Sequence, residues 1–177
     1  MRAMPGEVLH FSEDPHIATF VPHVARTAAD PTPAVWAVDA ANAPSYWFPR
    51  QCPRAMAWRT SRTLASDRQR ILGPHTDRVH MIEYKWLDRL LTARVFAYRF
   101  DAAEFEPCGD YSAPHAYVAY HVLRPLAPAE PIGDLLQLHE EAGIELRLAH
   151  SLWPWWEEVI HSSVGFSGIR LSNAHPR

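Results

Sequence analysis

Short apolar runs that stop abruptly are the feature that most restricts what this chain can fold into. Val8-Leu9-His10-Phe11 and Val35-Trp36-Ala37-Val38 both read as buried strands. The first ends in Ser12-Glu13-Asp14-Pro15; the second ends at Asp39 and leads into Ser45-Tyr46-Trp47-Phe48-Pro49-Arg50-Gln51-Cys52-Pro53-Arg54. Proline removes a ladder donor and clashes inside a helix, so neither run can grow into a long regular element. Each exit also carries groups able to bind or titrate where packing does not call for them, and two such exits can line one cleft.

The rest of the chain alternates in the same short units. Asp14-Pro15 opens a helical turn over His16–Phe20, and Pro22, Pro31 and Pro33 mark a loop. Ala34–Val38 is the second strand. Asn42 or Asp39 caps a short helix that contains Tyr46, and Ala55–Trp58 is a third strand. Thr60–Arg78 has little periodicity and carries Gly73-Pro74, so it reads as a structureless loop. Val79–Tyr84 alternates as a strand, Lys85–Thr92 as an amphipathic helix, and Arg94–Phe100 and Ala116–Leu123 as strands. Pro125, Pro128 and Pro131 exclude regular structure up to Asp134. That residue has the position of an N-cap for Leu135–Ala142, with Gly143 ending the helix. Ile144–Leu148 is a strand, Pro154–Ser162 a helix and Phe166–Leu171 a last strand. There is no internal repeat, so the expectation is a single domain over residues 1–177, α+β, around a mixed and largely antiparallel sheet.

Size and charge bound the function classes. With 177 residues, 47% of them hydrophobic, the chain can build a real core, and seven Trp supply rings for core and pocket walls. No apolar run approaches about 18 residues, which argues against a membrane-spanning helix. The start, Met1-Arg2-Ala3-Met4, has no apolar signal core, and two cysteines make no disulfide framework. A cytoplasmic, reduced protein is the expectation; oligomeric state is not set by the sequence. Residues 50–78 hold seven Arg against Asp67 and Asp77, while residues 101–145 hold nine acids against Arg124. The two blocks either neutralise one another, or the basic one attracts phosphate, nucleic acid or a protein partner.

Motifs narrow the chemistry further. No GxGxxG or GxxxxGK[ST] pattern is present among the seven Gly. Cys52 lies between Arg50 and Arg54, which favours thiolate, but Pro53 stands where a phosphate loop needs an amide, so a loop-anchoring Cys is the reading. Eleven His include His115 and His121, His80 near Glu83, and His139 before Glu140; none has metal-ligand spacing, and no metal is predicted. His10 is either a hydrogen-bonded core residue or a ligand group sharing its strand face with Ser12. Tyr46 and Trp47 either staple a helix to the sheet or offer a flat surface for a planar ligand. Glu145 is either a catalytic carboxylate or an exposed partner for Arg147.

His10-Phe11-Ser12-Glu13-Asp14-Pro15, Tyr46-Trp47-Phe48-Pro49-Arg50 with Cys52-Pro53-Arg54, and Phe166-Ser167-Gly168-Ile169-Arg170 together resemble a family of uncharacterised bacterial proteins of about this length. A more distant similarity is to ADP-ribosyltransferase-like domains, which place a His on the first strand, a Tyr on the helix after the second, and a Glu on a later strand. In that group the His holds the ribose, the Tyr stacks on nicotinamide and the Glu stabilises the oxocarbenium-like centre. His10 and Tyr46 match the first two elements. The strand Ala116–Tyr120 carries no Glu, which leaves Glu145 as the acid. The resemblance thus implies a cleft for NAD or a related nucleotide. His10 and Ser12 would lie on the ribose, Tyr46 or Trp47 on the base, and Arg50 or Arg54 on phosphate. The alternative is a nucleic-acid or protein-binding module that uses the basic 50–78 segment without catalysis.

Overall fold

A computed structural model describes residues 4–24, 32–109 and 116–177. Met1–Ala3, Pro31 and His115, named above, lie outside them. The described chain runs β1 (Glu7–Ser12), β2 (Val35–Ala37), β3 (Arg54–Trp58), α1 (Ala65–Asp67), β4 (Arg78–Glu83), α2 (Leu87–Thr92), β5 (Phe96–Asp101), β6 (Glu106–Cys108), β7 (Ala116–Ala119), β8 (Glu130–Pro131), α3 (Leu135–Glu141), β9 (Glu145–Ala149), α4 (Trp153–Ile160) and β10 (Gly165–Ile169). This is an α+β fold with mostly antiparallel sheets and short helices, as expected. Residues Met1–Arg50 with Arg94–Gly133 form one compact unit, and Gln51–Ala93 with Asp134–Arg177 form another.

In the first unit two three-stranded antiparallel sheets, β1-β5-β8 and β2-β7-β6, enclose a core. Alternation on β1 sends Val8 into it. From β5 come Tyr98 and Phe100, and from β2 Val35 and Ala37. Phe20 sits at the centre, with its ring edge-on to Tyr98 at 4.9 Å and to Phe100 at 5.0 Å. It is held there by a two-way backbone bridge to Leu123. Leu9, on the opposite face of β1, and Val38, just after β2, are buried against Ala43, on the 3-10 turn Ala43–Tyr46.

In the second unit one four-stranded sheet has the order β10-β3-β4-β9, antiparallel except for the parallel pair β4-β9. One apolar cluster joins Ala57 and Val79 to Ile71, Leu72 and Val159. A second joins Ala55 and Met81 to Leu152.

Several elements differ from the sequence expectation, each for a long-range reason. His16–Phe20 is not helical, because the Tyr98 hydroxyl accepts from Ile17 N and donates to Asp14 O, taking the backbone groups a helix would use. Thr60–Arg78 is not structureless: α1 runs into a π-helical turn, Arg68–Leu72, that buries Ile71 and Leu72. Arg147 donates to the carbonyls of both residues, at 2.8 Å each, and Asp67 accepts from the amide and hydroxyl of Ser163. Two strands were not expected, β6 and β8. The second includes Pro131, which an edge strand tolerates.

Candidate functional site

The two sheets of the first unit touch through one rung among the described residues. Leu9 and Val38 exchange both backbone bonds, at 2.7 and 2.9 Å. Beyond that rung the ladder does not continue. The His10 ring takes its place, with Nδ1 2.8 Å from the Trp36 carbonyl oxygen. Only an N–H can meet a carbonyl there, so Nδ1 carries the proton and Nε2 is left as a lone-pair acceptor. The ring also stands edge-on to Phe20 at 4.9 Å. Burial, reinforced by the charge of Arg50, pushes its pKa down to about 4 despite the Trp36 bond, so the imidazole is neutral at ordinary pH.

Within the first unit the two exits meet at Glu13 and Arg50. Ser12 Oγ accepts from Asp14 N and builds the turn that leaves β1. The backbone amide of Arg50 donates to Glu13 Oε2 at 3.3 Å, which ties the segment after Tyr46 to that turn. The Tyr46 ring lies nearly parallel to Phe11, at 7° with centroids 6.3 Å apart. Both pack on the Leu9–Val38 cluster, as does Trp36. The Trp36 indole N–H is buried and has no hydrogen-bond partner among the described residues. Arg50 is exposed and makes no ion pair among them.

The remaining expected site residues are placed differently. Ser12 and Trp47 are buried, the first as a turn former. Arg54 and Glu145 belong to the second unit. Arg54 is buried there and donates to Cys52 O at 2.9 Å. Glu145 accepts from Arg147 Nε at 2.6 Å. Burial pushes the Cys52 thiol up to about 12, overriding the Arg54 charge that would lower it. In the basic segment Arg59 and Arg68 pair with Asp77, and Arg70 with Asp67 and Glu158.

A shallow cavity of about 400 Å³ opens at the other end of the Leu9–Val38 rung, lined by Glu7, Val8, Asp39 and Tyr117 among others. It does not include His10 or Tyr46, and its polar groups are tied up locally: Glu7 accepts from Met4 N and Arg99, Asp39 from Asn42. Phe11, Glu13 and Trp36 were not legible as site residues. Their only signal is adjacency to His10 and membership of the same two exits.

A family model described as a family of unknown function (DUF6886) matches residues 9–174, and the chain belongs to that family. No curated protein and no solved structure matches it. Among the described residues no helix is long and apolar enough to cross a membrane.

Proposed function

We propose that this family member binds a nucleotide in its first unit, at the point where β1 and β2 part. NAD or a related nucleotide is the ligand that the distant ADP-ribosyltransferase-like resemblance implies. The observation that carries the reading is His10. It is a neutral imidazole fixed by Trp36 O, with Nε2 aimed away from that bond as an acceptor for a ribose hydroxyl. Three neighbours support it. Tyr46 keeps part of its ring at the surface for stacking. Arg50 offers an exposed guanidinium suited to phosphate. The buried Trp36 N–H lacks an acceptor that a ligand would supply. The reading is one of binding, because Glu145, the acid that the resemblance would use, is held by Arg147. The basic 50–78 segment is less favoured, since Arg59, Arg68 and Arg70 are already paired with carboxylates.

Calorimetry with NAD, ADP-ribose and mononucleotides tests it. Each of His10→Ala, Tyr46→Ala and Arg50→Ala is expected to weaken binding by about 1–3 kcal/mol, roughly 5- to 150-fold. Absence of binding by the wild type, or affinities indifferent to His10→Ala and Tyr46→Ala, would overturn the reading.

A further inference from the structure

The second unit contains a chain of buried hydrogen bonds that the nucleotide reading does not use. Arg78 Nε donates to His80 Nε2 at 2.9 Å. His80 Nδ1 lies 3.0 Å from His139 Nε2, and His139 Nδ1 lies 2.6 Å from Leu135 O. Chemistry fixes every proton in this row. An arginine can only donate, so His80 Nε2 accepts and its proton sits on Nδ1. His139 Nε2 therefore accepts in turn, and His139 Nδ1–H meets the Leu135 carbonyl. Both rings are almost wholly buried, at 0% and 1% exposure. A further proton on either ring sets N–H against N–H, at Arg78 or between the two imidazoles.

Cations stand close to the pair. Arg78 shares His80's strand, and the charge of Arg54 reaches His80 from β3. On β9, Leu146 is the register partner of His80, and Glu145 and Arg147 bind one another. On α2, which packs against α3, Asp88 and Arg89 are exposed. Burial and these cations hold the His80 ring well below the usual histidine range, and burial with the charge of Arg78 lowers His139 as well.

What the pair holds in place is α3. Leu135 and His139 are its two buried residues, so one of the two anchors of this seven-residue helix is the titratable ring. A helix of that length does not persist without packing. We propose that Arg78, His80 and His139 form an acid-released latch: taking up a proton breaks the row and undocks α3 from α2 and β9, while the first unit keeps its structure.

Imidazole nitrogen NMR on the ¹⁵N-labelled full chain, combined with amide exchange, tests this from pH 7.5 to 4.5. At pH 7.5 both rings are expected as the Nδ1–H tautomer, the less common one in water. On acidification they are expected to protonate as α3 amides lose at least tenfold in protection, with β1 and β5 amides still protected. His139→Gln keeps an acceptor for His80 in place of the second ring, and should retain α3 protection at a pH where the wild type has lost it. An Nε2–H tautomer or a charged ring at pH 7.5 would overturn the latch. So would α3 protection that survives protonation of both rings, or loss of protection in β1 and β5 at the same pH. If His139→Gln does not fold, the wild-type tautomers and exchange still decide.

Discussion

At His10 a side chain does what a backbone rung would otherwise do. The Trp36 carbonyl, an obligatory acceptor left open where the strands part, is met by an imidazole N–H. For the proposed nucleotide binding the consequence is a pH profile unlike that of an ordinary histidine. With the ring neutral down to about pH 4, its acceptor persists through mild acid, and affinity should change less than about twofold between pH 7.5 and 5.5. A normal imidazole, titrating near 6.5, would cost about tenfold over that range; calorimetry at both pH values separates the two. His10, Tyr46 and Arg50 could be picked out from the sequence because polar or aromatic groups stood at the ends of apolar runs. Glu13 could not, because its role depends on the Arg50 amide, which lies 37 residues further along the chain.

Among the elements, those governed by local rules were the legible ones. Asp134 caps α3 as the sequence suggested, accepting from Leu136 N and Gln137 N, and Gly143 ends that segment at φ +66°. Removing the cap with Asp134→Ala should lower stability by about 1 kcal/mol in urea unfolding. Gly165 on β10 is a packing requirement that no periodicity reveals. A Cβ there would lie 2.4 Å from Trp58 Nε1 and 2.9 Å from Thr60 Cγ2. Gly165→Ala should therefore cost about 1–3 kcal/mol by the same measurement. The π-helical turn Arg68–Leu72 was missed because its order comes from Arg147, Asp67 and Ser163, not from its own sequence. His80 and His139 were read singly for the same reason: 59 residues separate them, and a ring-to-ring hydrogen bond between β4 and α3 joins them.

For the whole molecule, three histidines held neutral in the fold set its response to acid. His10, His80 and His139 all have folded pKa values below the unfolded value of about 6.5. Their contribution is fully present above that value and is lost as pH falls towards the folded pKa values. Between about pH 6 and 5 His10, neutral in the fold down to about 4, should lower the unfolding free energy by up to about 1.4 kcal/mol per pH unit, and His80 and His139 add to that slope for as long as they stay neutral. Urea unfolding across that range checks it, and a flat profile would mean the rings are charged in the fold. The α+β class was legible from the many short runs and their breakers; the partition into two units was not, because each draws on two stretches of chain separated by a stretch of the other. That interleaving has a consequence for synthesis. β1 finds its partner only when β5 has been made, since Glu7 pairs with Asp101. At about 5–20 residues per second the first strand waits roughly 5–20 s with an unpaired apolar edge beside the ribosome. A nascent chain of this kind has reason to need a chaperone.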